Sequence, residues 1–240
     1  MRVPNVHGII RRRLLVNFRI DPDVAQAQLP SPFQPKLHGG YAVGGICLIR
    51  LEGIRPKRFP EMFGLSSENA AHRFAVTWAD AAGEHEGVYI PRRDSGSLLI
   101  TLAGGRLFPG EQHRARFVVA DDGGHVGLDM RSADQAVSVR VSGAATDALP
   151  PESIFATVKE ASDFFEPGSV GYSATAGGHR LDGIELRTQG WEVRPLRVES
   201  VESSYFDDRS LFPSDSVHFD CALVMRNLAH EWHAAAEMYV

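Results

Sequence analysis

Lysine and cysteine are scarce in this chain, and no apolar run is long. Its 240 residues include Lys36, Lys57 and Lys159 as the only lysines and Cys47 and Cys221 as the only cysteines. Two cysteines, each set inside an apolar run, make no disulfide framework and read as small buried hydrophobes. No stretch approaches the roughly 20 apolar residues that cross a bilayer. The run Arg11-Arg12-Arg13 is not followed by the apolar segment and small-residue cleavage site of a signal peptide, so a reducing, cytoplasmic setting is expected. Positive charge is also thin: Lys and Arg total 25 against 30 Asp and Glu, a formal net charge of -5. With arginines and acids interspersed there is no basic stripe for nucleic acid and no polybasic segment for a membrane surface, and neither is an expected partner.

Familiar catalytic signatures are missing as well. His230-Glu231-Trp232-His233 sets its histidines three apart, where the zincin helix needs four, so no metal is expected. The pairs Gly123-Gly124 and Gly177-Gly178 lack the following helix of a phosphate cradle. Neither a Gly-x-Ser-x-Gly elbow nor a Cys-x-x-Cys pair occurs, and no cofactor is expected.

What the chain does have is short alternating stretches. Residues 14–20, 39–51, 65–78, 87–91, 98–103, 116–120, 126–131, 136–141, 169–175, 183–188 and 193–201 read as strands separated by turn residues, the pattern of a sandwich or barrel. Asp21-Pro22 starts a short helix over 22–28, and Pro150-Pro151-Glu152 starts a second that Pro167-Gly168 ends. Residues 216–225 form a strand, and the tail after them reads as strand or helix. Glycines at 39, 40, 44 and 45 load one strand, which points to a curved sheet beside a cavity. Residues 104–117 form a turn between two strands, where binding groups often sit. One mainly β domain over 1–240 is the simplest organisation.

Arg11-Arg12-Arg13-Leu14, Phe18-Arg19-Ile20-Asp21-Pro22, Leu29-Pro30, the Glu68 strand, the Gly105-Arg106 and Phe108-Pro109 turn and Ser216-Val217-His218 resemble the acetoacetate-decarboxylase-like superfamily. Ser162-Asp163-Phe164-Phe165, Val170-Gly171-Tyr172-Ser173 and Trp191-Glu192-Val193-Arg194-Pro195-Leu196 make the chain similar to an uncharacterised branch of it, a domain of unknown function. The resemblance implies an antiparallel β-barrel with surrounding strands, a few short helices and a small buried cavity. In the decarboxylases a turn lysine forms a Schiff base with a β-keto acid, and a second lysine lowers its pKa. The matching positions here are Gly110 and Glu111, so the resemblance implies the scaffold without the amine chemistry. The family's arginine falls near Arg11, one glutamate on Glu68 and a second near Gly45.

Six residues are therefore candidates. Glu68, Glu111 and His113 are the acid–base candidates. Arg11, Arg93 and His218 are the substrate-binding ones, with a guanidinium suited to grip a carboxylate. Each has a plainer reading: a surface arginine, a paired carboxylate, a solvent-facing turn, a local Arg93–Asp94 ion pair, a core histidine. The expected partner is a small-molecule ligand, and a homo-oligomer stays open. Two functions follow, an enzyme acting on a small carboxylate or keto compound by non-covalent acid–base chemistry, of lyase or isomerase type, or a non-catalytic binding protein.

Overall fold

The computed structural model describes residues 5–57, 59–103, 109–175 and 177–239. β1 (Val6–Ile20) leads through α1 (Pro22–Gln26) and two short strands, β2 (Gln34–Pro35) and β3 (Leu37–His38), to β4 (Tyr41–Pro56). β5 (Leu65–Asp80), β6 (Gly83–Ser95), α2 (Leu98–Ala103), β7 (Gln112–Asp121), β8 (His125–Ser132) and β9 (Ser138–Ala145) follow. Then come α3 (Val158–Phe165), β10 (Val170–Ala174), β11 (Arg180–Thr188), β12 (Arg194–Ser203), β13 (Val217–Ala234) and β14 (Met238–Tyr239).

Local chemistry explains most boundaries. The Asp21 carboxylate accepts from the Asp23 and Val24 N–H groups, and Pro22 opens α1 with the φ a helix needs. Thr157 caps α3, its hydroxyl accepting from the Glu160 N–H at 3.0 Å. The second helix thus starts at Val158 and not at Pro150, because the chain around Pro150 closes a turn, with the Ser153 N–H bonded to the Pro150 carbonyl. Residues 98–103 form α2, not the expected strand. The Ser97 carbonyl accepts from Thr101 at 3.0 Å, and a six-residue segment this apolar carries no periodicity to tell helix from strand. Residues 104–108 of the expected turn lie outside the described residues. The tail after residue 225 continues as β13 to Ala234.

All described strands join one sheet that closes on itself. Hydrogen-bonded neighbours run β6-β7-β8-β9-β12-β13-β1-β4-β5, and β5 pairs back to β6. A shorter path, β6-β10-β11-β13, joins the same two edge strands by the other side. The wall β13-β1-β4-β5-β6 is therefore common to two closed rings. The β6-β10 and β6-β7 pairings are parallel and the rest antiparallel. Among the described residues no helix is long and apolar enough to cross a membrane.

Because side chains alternate along a strand, the shared wall feeds two cores. Leu14 and Val16 of β1, with Ile46 and Leu48 of β4, pack with Val126, Leu128, Met130, Val139 and Val141 of β8 and β9. Leu15, Cys47, Ile49 and Leu51 face the other way and pack with Phe155, Phe164 and Phe165 around α3. In the first core His72 packs against Tyr205 and Phe206, its ring centroid 4.7 Å from that of Tyr205, and Phe206 in turn meets Phe18, Phe74 and Phe212. Among the described residues neither His72 nitrogen has a hydrogen-bond partner.

Burial, with Arg92 adding to it, brings His72 from 6.5 down to about 3, and burial with Arg13 brings His230 to about 4. Both are neutral when folded and take up a proton on unfolding below pH 6.5, so the stability they contribute is complete above that pH and lost as it falls. Between pH 6.5 and 5 the unfolding free energy is expected to drop by up to about 1.4 kcal/mol per pH unit for each histidine. Urea titrations of the wild type and His72→Phe check this. A wild-type profile that stays flat over that range contradicts it.

Candidate functional site

The second ring holds a cavity of about 130 Å³ lined by Arg13, Cys47, Ala71, Arg73, Arg93, Ile184, Leu186 and Trp232, among others. Strand register explains why there is space. Asn17, Gly45 and Arg73 lie in one row across β1, β4 and β5, and Leu15, Cys47, Ala71 and Arg93 lie in the next row across β1, β4, β5 and β6. Three small residues therefore occupy the middle of the wall, and long side chains stand around them. The glycine-loaded strand does border a cavity, and at Gly45 the reason is close approach. A Cβ there would run into the Val16 carbonyl oxygen and would sit 3.3 Å from the Asn17 side-chain oxygen. Across the space it leaves, Arg73 Nη2 donates to Asn17 Oδ1 at 2.8 Å.

Three guanidiniums share this cavity, and among the described residues none of them is ion-paired. Arg73 is 4% exposed, lies 5.1 Å from the Phe165 ring, and has no partner for Nε. Arg93 Nε donates to Ser173 Oγ at 2.9 Å, while its Nη2 is buried without a partner. Arg13 Nε donates to Cys47 Sγ at 3.3 Å, and its guanidinium lies 5.9 Å from the Trp191 ring. Burial brings Arg73 and Arg93 down to about 10, which leaves both cationic at neutral pH. Asp94, the one carboxylate that borders the cavity among the described residues, is gripped by Arg92 through contacts of 2.9 and 3.0 Å. Buried positive charge with unused donors is an anion-binding arrangement.

The sequence candidates are dispersed. Arg93 lines the cavity, and the local pair expected of it is made by Arg92 with Asp94. Arg11 is half exposed and pairs with Glu52 at 2.8 Å, because an extra residue in β1 relative to β4, between Ile10 and Arg12, turns it outward. Glu68 faces away from Arg13 by strand alternation. It pairs with Arg12 at 2.6 Å beside an open groove that also holds Arg50, Arg114, Arg116 and Arg131. Burial pushes the Glu68 carboxyl up against the pull of Arg12 and Arg50. Glu111 and His113 border a separate depression next to Ser173, and His113 Nδ1 lies 3.4 Å from Asp134. His218 is exposed, its Nε2 3.1 Å from the Asp215 carbonyl. Thus Arg11 and Glu68 do not meet. Arg13 and Arg73 were not singled out from the sequence, although Ala71-x-Arg73-x-Ala75 shows the signal: an arginine on the apolar phase of a strand between two small residues. Lys36 pairs with Glu86, Lys57 with Glu231 and Lys159 with Asp163, and none of them lines the cavity.

Gly45→Ala is expected to destabilise the fold by about 1–3 kcal/mol, since a backbone carbonyl has to move. Gly127→Ala on β8, where nothing lies within 4 Å of the new methyl, serves as reference. Equal melting temperatures for the two variants would count against the close-approach account.

No curated protein matches the sequence. Among solved structures, an acetoacetate decarboxylase from Legionella pneumophila superposes with a TM-score of 0.63 at 12% identity, covering 98% of this chain and 88% of that one. An acetoacetate decarboxylase-like enzyme from Sphingomonas wittichii gives 0.64 at 13%, covering 100% and 94%. The enduracididine biosynthesis enzyme MppR, in complex with pyruvate, gives 0.60 at 11%, covering 100% and 91%. At such identities the likeness is one of fold, and it agrees with the mainly β architecture and its closed rings. Residues 10–223 match the model of DUF2071, described as an uncharacterized conserved protein, and the chain belongs to that family.

Proposed function

We propose that the protein binds a small carboxylate, of the size of a short oxo acid, in the arginine-lined cavity, and that it is not a Schiff-base decarboxylase. The observation that carries this is the set of three guanidiniums without carboxylate partners around about 130 Å³ of space. Taking one guanidinium out of water costs several kcal/mol unless an anion or good hydrogen bonds offset it. Arg73 and Arg93 each have one modest hydrogen bond, and an incoming carboxylate would complete both. The volume supports a ligand of few atoms, since an apolar cavity of about 150 Å³ accommodates benzene. The apolar side of the lining, Ile184, Leu186 and Trp232, suits a short carbon chain. That a protein of the same fold takes pyruvate fits this reading.

Amine chemistry has no candidate here, since all three lysines are paired elsewhere. Acid–base turnover by Glu68, Glu111 or His113 would need these groups at the ligand, and they lie on other surfaces. Binding without that kind of turnover is therefore the better-supported of the two functions.

Isothermal calorimetry with pyruvate and acetoacetate tests the reading, with acetone as the uncharged control. Arg73→Gln and Arg93→Gln are each expected to weaken carboxylate binding by about 1.5–3 kcal/mol, roughly ten- to a hundredfold in Kd. Acetoacetate is expected to persist, with no borohydride-trapped adduct on any lysine. Carboxylate binding that survives both arginine substitutions, or a trapped lysine, overturns the proposal.

A further inference from the structure

We propose that Cys47 is a nucleophile whose thiol adds to the carbonyl carbon of a small oxo carboxylate held in this cavity. The proposal rests on the carboxylate reading above and deepens it by assigning a covalent site and a ligand class.

Cys47 is 8% exposed and lines the cavity, standing in the cross-strand row that ends at Arg93. Its neighbour in that row on β5 is Ala71, and Gly45 precedes it on the same face of β4, so no bulky side chain of β4 or β5 stands beside the sulfur in these positions. Arg13 Nε donates to the sulfur at 3.3 Å, and Arg73 and Arg93 line the same cavity. A second observation points independently to a ligand: Arg73, almost wholly buried, lines the same cavity with Nε unpartnered, as Arg93 does with Nη2. A carboxylate taken by these donors brings a carbonyl one or two carbons away into the space that the sulfur borders.

The step balances without a co-reactant. The sulfur–carbon bond forms as the carbonyl π bond breaks, the thiol proton passes to the former carbonyl oxygen, and nothing leaves. The product is a hemithioketal, and the reverse step frees the ligand. The oxyanion that develops during addition is stabilised by preorganised guanidinium N–H groups in a site of low dielectric.

Cys221 is an internal control. It is fully buried on β13, does not line the cavity, and burial with the nearby Asp220 pushes its thiol up. The two cysteines are expected to differ sharply in reactivity although both are free.

The experiment uses the full chain and two alkylating agents of similar size. Peptide mass spectrometry is expected to show Cys47 modified about tenfold faster by iodoacetate than by iodoacetamide, because the cationic cavity concentrates the anion, and Cys221 unmodified until the protein is unfolded. Arg93→Gln is expected to reduce that preference. With [2-¹³C]pyruvate, the carbonyl signal is expected to move to the tetrahedral range in the wild type and to stay trigonal in Cys47→Ala, while pyruvate still raises the melting temperature of both. If pyruvate binds and iodoacetate is preferred but the carbon stays trigonal, the thiol addition is wrong and the carboxylate reading stands. If Cys47 reacts with neither reagent, the nucleophile assignment falls. If neither pyruvate binding nor the anionic preference appears, the carboxylate reading falls, and the addition with it.

Discussion

Arg73 extends from β5 across Gly45 of β4 to the amide of Asn17 on β1, and the inner face of the shared wall is arranged around that reach. A buried guanidinium in a medium of low dielectric is costly, and one neutral hydrogen bond contributes only about 1 kcal/mol against it. The Phe165 ring face adds an interaction of about 0.5–2 kcal/mol. These offset part of the desolvation and leave donors over. The close approach of the β1 backbone at Val16 explains why the intervening residue is glycine, and the same small-residue phase continues into Cys47 and Ala71. The cavity thus lies over a phase of small residues that the arginine spans.

Adjacent residues of β1 show how much the face matters. Arg12 and Arg13 are covalent neighbours, yet strand alternation sends them into opposite surroundings. Arg12 lies between Glu68 and Asp121, and Arg226 closes on the same aspartate at 2.8 Å. Burial alone would raise the Asp121 carboxyl, but Arg226, the Gly123 N–H and Arg12 hold it at about 2. There Arg12 and Arg226 meet the carboxylates of Glu68 and Asp121, and the ion pairs brace β1, β5, β7 and β13 against one another. On the other face Arg13, Arg73 and Arg93 carry the same charge with no anion to meet it. In the first arrangement the guanidinium donors meet carboxylates, and in the second donors of Arg73 and Arg93 stay unused among the described residues.

Much of the architecture was legible from alternation and turn residues, because a period of two survives any amount of non-local pairing. The glycine run in β4 also indicated a cavity before its walls were known. What alternation cannot provide is phase across strands. The run Arg11-Arg12-Arg13 puts a guanidinium on every face, and which one turns inward depends on the extra residue β1 carries before Arg12. Glu68 and Arg73 belong to the same strand, but five residues apart they point to opposite sides, so a constellation assembled from the linear sequence joins groups that the sheet separates. The helix at residues 98–103 was hidden for a different reason. Six nearly uniform apolar residues contain no period, and the choice is made locally by the carbonyl of Ser97.

Among the described residues no lysine lines the cavity, and this is more than a missing nucleophile. An imine supplies the sink for the electron pair left behind as carbon dioxide departs, and for that the departing carboxylate must not be stabilised more in the ground state than in the transition state. A carboxylate held by two or three buried guanidiniums is stabilised most while it carries its full charge, and that stabilisation declines as the charge moves onto carbon. Cationic arginines in this position therefore oppose decarboxylation even where an electron sink is present. Under the binding proposed above they favour retention of the acid and leave the carbonyl as the electrophile. Under that binding, placing one lysine in the cavity is not expected to produce decarboxylation while Arg73 and Arg93 remain.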